Sequence, residues 1–205
     1  MYRTTVLIDA GHGGVKEGVY QTSGKRFEGF HESRDIFLAE GAFNRAIAAG
    51  LQAKLHMLCI KTHLITPEAE DITLGGRVRR VNALSRKGPC FLLSIHHNSF
   101  TNPSVSGAEF FTSRGDTKAD PLAEEIAKGF KDHFPGVKLR VDSINTKYAK
   151  EADYKILKGT ICPAVLTEWA FMSNEQDRNR IFDLNEQIDF LTKAVEKLFI
   201  NGFLK

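Results

Sequence analysis

Short, uninterrupted apolar runs alternate along this chain with segments whose apolar residues recur at helical spacing, and this alternation restricts the fold more than any other feature. Residues 3–9 form the first run and lead into Gly11, Gly13 and Gly14, a composition suited to a sharp turn. Runs at 59–66, 90–96, 107–112 and 164–169 read as further strands, the earliest of them stopped by Pro67. Helical spacing fills the gaps. Residues 36–55 carry Ile36, Ala39, Phe43, Ala46, Ile47, Leu51 and Leu55, and residues 74–85 place Leu74, Val78, Val81 and Leu84 on one stripe. Residues 121–134 open with Pro121 in the first turn, and 175–182 and 185–199 close the chain. Strands that are apolar on both sides need cover on both sides. The expectation is an α/β fold: a mostly parallel central sheet of about six strands with helices on both faces.

No internal repeat, low-complexity tract or Pro- or Ser-rich linker divides the 205 residues, so residues 1–205 read as a single domain. The polar, Gly-containing stretch that follows the first strand to about residue 35 is longer than most connections and is a candidate lid or substrate wall. None of the apolar runs is long enough to cross a bilayer. The N-terminal residues lack the basic start, long apolar stretch and small-residue cleavage site of a secretory leader. Cys59, Cys90 and Cys162 have no C-x-x-C spacing, and each borders an apolar run, so buried, reduced thiols are expected. The net charge of +3 suits an anionic polymer without naming one. A nucleic-acid surface built on Arg77, Arg79, Arg80, Arg86 and Lys87 would lack interleaved aromatics, which argues against that partner.

In a parallel sheet the chemistry gathers at the carboxyl ends of strands. Three strands here end in reactive residues: Asp9 to Gly14 with His12, Ser94 to Ser99 with His96 and His97, and Thr167 to Trp169 with Glu168. A helix beginning near residue 36 adds Glu40. Two imidazoles, a carboxylate and an open fourth position make up a catalytic zinc site, and a second carboxylate beside the activated water completes a hydrolase. A lone histidine after a strand is more often a hydrogen-bonded turn residue, but the glycines flanking His12 permit close approach to a ligand. His96 and His97 are adjacent, so alternation lets only one face the site. His31, His56, His63 and His133 lack such context and read as surface or satisfied residues. Glu40 alone reads as a solvated first-turn residue, and Glu28 and Glu32 compete with it. Glu168, between Leu166 and Trp169, is costly to bury without a partner. Trp169 itself reads as core packing, with a place lining the substrate groove as the alternative.

Five ordered segments resemble the zinc-dependent N-acetylmuramoyl-L-alanine amidases, cell-wall hydrolases of bacteria and phage. They are Asp9-Ala10-Gly11-His12-Gly13-Gly14; Glu40-Gly41-Ala42-Phe43-Asn44; Leu74-Gly75-Gly76-Arg77 through Asn82; Ser94-Ile95-His96-His97-Asn98; and Pro163 to Glu168 followed by Phe171 to Asp177. The resemblance implies that His12, Glu40 and His96 hold Zn2+ and that Glu168 is the catalytic carboxylate. It implies peptidoglycan as substrate, cut between N-acetylmuramic acid and the L-alanine of the stem peptide. Asn44, one turn beyond Glu40, is a candidate to support the metal-facing side of that helix. Arg77, His97 and Asn98 are candidate substrate or supporting residues, although a solvated helix arginine is the simpler reading of Arg77. His97 stands where a small residue is expected, and Ala10 where many members carry proline. Release in the manner of a phage endolysin, or export behind a leader, are both compatible with action on the wall. The alternatives are another zinc peptidase of peptidoglycan, such as a carboxypeptidase, and a non-catalytic wall-binding domain; the latter has no need of Glu168.

Overall fold

The computed structural model describes residues 2–142 and 147–205. In chain order the elements are β1 (Thr5–Ala10), β2 (Val15–Lys16), β3 (Val19–Tyr20), β4 (Arg26–His31), β5 (Arg34–Ala39), α1 (Glu40–Met57), β6 (Thr62–Leu64) and α2 (Leu74–Ser85). They continue with β7 (Cys90–Asn98), β8 (Glu109–Thr112), α3 (Asp120–His133), β9 (Lys150–Glu151), α4 (Lys155–Lys158), β10 (Ala164–Phe171), α5 (Glu175–Phe182) and α6 (Leu184–Ile200). Six strands form the central sheet in the order β6-β1-β7-β10-β8-β9, and only the β10–β8 pairing is antiparallel. This is the α/β sheet expected from the apolar runs.

Strand alternation splits the interior in two. Val6, Ile8, Phe91, Leu93, Ile95, Val165 and Trp169 face one core with the buried stripes of α1, α3 and α6. Leu7, Leu92 and Leu166 face a smaller one, closed by Val81 of α2 and Ile156 and Leu157 of α4. Trp169 is fully buried and packs its ring against Phe130, Phe134 and Phe190. That bears out its reading as a core residue.

Helix starts follow local chemistry. Thr73, Asn174 and Asp183 cap α2, α5 and α6 by accepting bonds from the backbone N–H groups of Gly76, Asp177 and Glu186. α1 has no side-chain cap. Its free N–H groups are met from the preceding hairpins instead: Glu40 N–H donates to the Lys25 carbonyl (3.1 Å) and Gly41 N–H to the Tyr20 hydroxyl (3.0 Å). The Glu40 carboxylate is thereby left free to turn away from its own helix.

Three expectations need correction. The stretch before residue 35 is not an open loop: it folds into two antiparallel hairpins, β2–β3 and β4–β5. Residues 36–39 belong to β5 and not to the helix, because Ile36 to Ala39 pair with Gly29 to Arg26. The four apolar or small residues at 36–39 satisfy either period, and the β4 partner decides. Cys59 is exposed, not buried, at φ 58° just past the end of α1, whereas Cys90 is buried and Cys162 half-buried. No helix among the described residues is long and apolar enough to cross a membrane.

Candidate active site

β1 and β7 run parallel and in register, Ala10 beside Ile95, so the loop leaving β1 rises next to the last residues of β7. His12 lies in that loop at φ 64°, a left-handed conformation that costs a non-glycine residue energy. Arg77 of α2 holds it there. Its guanidinium donates to the Ala10 carbonyl (2.6 Å), the His12 carbonyl (2.7 Å) and the Asp9 carboxylate (2.6 Å). Ser94 donates to the other Asp9 oxygen at 2.8 Å. Arg77 is 2% exposed, so the reading of it as a solvated helix arginine is wrong. The sequence reading assigns Asp9 no role of its own. The signal that singled out Glu168, an acid ending an apolar strand, applied to it equally.

Glycine is required at two points of this turn. A Cβ on Gly11 would enter the His96 ring, and one on Gly41 would enter the Gly13 carbonyl. The first closeness brings the two histidines together, their rings edge-on with centroids 5.0 Å apart.

Glu40, at the first position of α1, completes the group. Its Oε1 lies 3.2 Å from His12 Nε2 and 3.1 Å from His96 Nδ1. Burial alone would raise the Glu40 carboxyl, but the contacts with both imidazoles override it and hold the group well below the usual carboxylate range. Burial works against a charged His96, and its hydrogen bond with Glu40 and the charge of Glu168 reverse that, raising its pKa above the ordinary value. One ligand atom from each of His12, Glu40 and His96 lies within 4.8 Å of the others. Ligands of a tetrahedral zinc stand roughly 3.4 Å apart, close to the two distances above. The donor set fits a metal ion, and these residues could hold one.

Glu168 sits beside His96 in the parallel pairing of β10 with β7. Its Oε2 is buried and has no hydrogen-bond partner. Burial pushes its pKa up to about 8, with the charges of Glu40 and Glu109 adding to the effect and that of His96 opposing it. A desolvated carboxyl in a cleft beside the two imidazoles makes Glu168 a candidate proton-transfer group.

His96 and His97 diverge as alternation requires. The His97 ring lies between α1 and α6, with Nδ1 2.8 Å from Asn44 Oδ1 and Nε2 3.3 Å from the Gln187 amide. Desolvation pushes its pKa down to about 4, so the ring is neutral near neutral pH. Asn44 commits its amide nitrogen to the Gly11 carbonyl (3.2 Å), which makes His97 Nδ1 the donor to Oδ1. The remaining ring nitrogen is an acceptor facing Gln187 Oε1, which cannot donate; turning the Gln187 amide round brings its otherwise unpartnered Nε2 to that nitrogen as donor. The His97 backbone N–H also donates to Glu40 Oε1 at 3.1 Å. Asn98 lies at the rim, donating to Glu109 at 2.7 Å. Glu109, also unforeseen, takes Lys150 (2.7 Å) and Arg140 (3.3 Å) as ion-pair partners.

His12, Glu40, His96 and Glu168 line one cleft of about 660 Å³, together with Lys25, Tyr154 and Lys155. The sequence profile of N-acetylmuramoyl-L-alanine amidases matches residues 6–198. The chain belongs to that family. It is 23% identical over 177 residues to the probable cell wall amidase LytH of Staphylococcus saprophyticus, covering 86% of this chain and 51% of LytH. It is 24% identical over 213 residues to the N-acetylmuramoyl-L-alanine amidase AmiA of Escherichia coli, covering 85% and 68%. This chain thus spans about half the length of the staphylococcal relative. The structure of the N-acetylmuramoyl-L-alanine amidase of Clostridium difficile 630 superposes with a TM-score of 0.76 at 21% identity, covering 98% of this chain and 100% of that one. That likeness establishes the amidase fold, with the candidate site at the carboxyl edge of its sheet.

Proposed function

We propose that this amidase hydrolyses the bond joining the lactyl group of N-acetylmuramic acid to the L-alanine of the peptidoglycan stem peptide, acting on the cell wall with zinc held by His12, Glu40 and His96. The observation that carries the reading is the pairing of that donor triad with Glu168, whose unpartnered carboxyl points into the same cleft. Zinc in such a site supplies a Lewis acid for the scissile carbonyl and a water that ionises near neutral pH.

The protein's own residues do the rest. Glu168 accepts the proton of the attacking water and returns it to the leaving amine of L-alanine. Its raised pKa suits the return step, and the positive charge of a bound metal favours the carboxylate needed for the first. Asn44 and the His97 backbone N–H orient the Glu40 carboxylate (3.4 and 3.1 Å to Oε1). Arg77 keeps the His12 loop in its strained shape. A wall-binding module would bury Glu168 at a cost with no return, which disfavours the non-catalytic reading.

The test is mass spectrometry of digested peptidoglycan with zinc content measured on the same sample. New N-terminal L-alanine, without loss of a terminal stem residue, is the expected product; release of a terminal residue would instead establish a carboxypeptidase. Glu168→Ala should keep its zinc and lose about 10²- to 10⁴-fold in turnover. Near-normal turnover in that variant would remove Glu168 from the mechanism.

A further inference from the structure

Lys25 stands out among the residues of the cleft wall. Its backbone is left-handed (φ 52°), directly after Gly24 at φ 67°, in a conformation that lysine seldom adopts. The strain is held from two sides, because the Lys25 carbonyl accepts from the Tyr20 hydroxyl at 3.0 Å and from the Glu40 N–H at 3.1 Å. The second bond ties Lys25 to the very turn that presents Glu40. The backbone of Lys25 is thus tied to the start of α1, although its side chain is exposed.

The ammonium is also uncommitted. Its neighbour Arg26 is paired with Glu28 at 2.6 Å and lies over the Phe37 ring, and Arg140 and Lys150 are both paired with Glu109; Lys155, which also lines the cleft, is the other cation there without an ion pair among the described residues. Lys25 has no side-chain hydrogen bond or ion pair among the described residues, lines the cleft with Glu168, and is near enough for its charge to act on that carboxyl. Glu168 Oε2 has no hydrogen-bond partner, so the ammonium is not committed to that carboxyl. A cation at the rim of the cleft, anchored by its backbone and without an anion of its own, is a site for an anion on the substrate.

Resting on the amidase reading, the substrate's chemistry names that anion. In stem peptides the residue after L-alanine is D-glutamate joined through its side chain, which leaves its α-carboxyl free or amidated. That group lies two residues from the scissile carbonyl, about 7 Å along an extended chain. We propose that Lys25 forms a carboxylate subsite that binds the free α-carboxylate of the second stem residue, so that this amidase favours the acid over the amidated stem. Lys25 is then a specificity residue: it acts on binding of the acid form and leaves the bond-breaking groups alone.

The experiment measures binding by calorimetry of N-acetylmuramyl-L-alanyl-D-isoglutamate and of its isoglutamine counterpart to the zinc-loaded full chain carrying Glu168→Ala, which prevents turnover. The acid should bind about tenfold more tightly, as one hydrogen bond to a charged group allows, and the preference should shrink as ionic strength rises. Adding Lys25→Gln should weaken the acid to the level of the amide, leave the amide unchanged, and be rescued by Lys25→Arg. Lys25→Gly, which relieves the left-handed strain, should behave like Lys25→Gln and exclude misfolding as the cause. Equal affinity for the two ligands, no binding of either, equal weakening of both by Lys25→Gln, or a preference that disappears with Lys155→Gln instead would each overturn the assignment. The amidase reading fails separately: a Lys25-dependent preference for the acid in a wild-type protein that releases no new N-terminal L-alanine from peptidoglycan would keep the subsite and discard the reaction.

Discussion

His96 and His97 share a strand, differ by one position and live in opposite chemical settings. The first shares a hydrogen bond with Glu40 in the cleft; the second is sealed between Asn44 and Gln187 with its pKa pushed down to about 4 by desolvation. The consequence for stability has a definite sign. Between the ordinary histidine value and about 4, the unfolded chain takes up a proton that the folded one refuses, so His97 lowers stability as pH falls through that window. The loss reaches about 3 kcal/mol at the acid end. Urea unfolding in excess chelator at pH 7 and pH 4.5 should therefore show wild type losing more stability than His97→Gln, whose side chain does not titrate. If the two decline in parallel, some other group carries the acid sensitivity. Neighbouring identical side chains gave no hint of this difference except through the alternation rule, which separated the two rings without saying which helix would receive the second.

At the scale of elements, one side chain fastens α2 to the end of β1. Arg77 and Asp9 are 2% and 1% exposed and lie 2.6 Å apart, and the same guanidinium holds the carbonyls of Ala10 and His12. Removing one partner leaves a buried charge uncompensated, which typically costs about 3–5 kcal/mol. Arg77→Met should fall in that range by urea denaturation and should reduce zinc affinity, because the His12 loop loses its restraint. Arg79→Met, an exposed arginine on the same helix, should cost within about 0.5 kcal/mol. Similar costs for the two variants would mean that the buried network contributes little. From sequence the two arginines are indistinguishable in kind. Only the placement of β1 beneath α2 makes one of them structural. The same holds for residues 36–39, whose pattern fitted a helix until β4 supplied hydrogen-bond partners.

For the whole molecule, the candidate metal-binding group joins three parts of the chain that are distant in sequence: the β1 exit, the start of α1 and the end of β7. A ligand that binds only the folded state stabilises it, and here it would tie the hairpin region to the sheet. Without metal, Glu168 has its pKa pushed up to about 8, so stability is present below its ordinary value and declines as pH rises toward 8. His96, raised by its carboxylate neighbours, has the same sign: its contribution is present below the ordinary histidine value and is lost as pH rises through the folded one. A bound dication relieves both effects and binds better once the imidazoles are deprotonated. The gap in Tm between zinc-loaded and chelated protein should therefore widen from pH 5 to pH 8. A gap that is constant, or larger at pH 5, would place the metal elsewhere.

Much of the fold is legible in the sequence alone. Apolar runs with helices between them specify a parallel sheet covered on both faces, because nothing else hides strands that are apolar on two sides. That sheet, in turn, sends His12, His96 and Glu168 to one edge. The five ordered segments selected Glu40 among the competing acids. What tertiary structure alone decided are the pairings that cross between elements: Asp9 with Arg77, His97 with Asn44 and Gln187, Glu109 with Lys150, and the Lys25 carbonyl with Glu40. Hydrophobic periodicity reports which side of an element is buried, a property of the chain itself. Whether a buried polar group is satisfied depends on which other element arrives opposite it, and that is written in no local stretch of sequence.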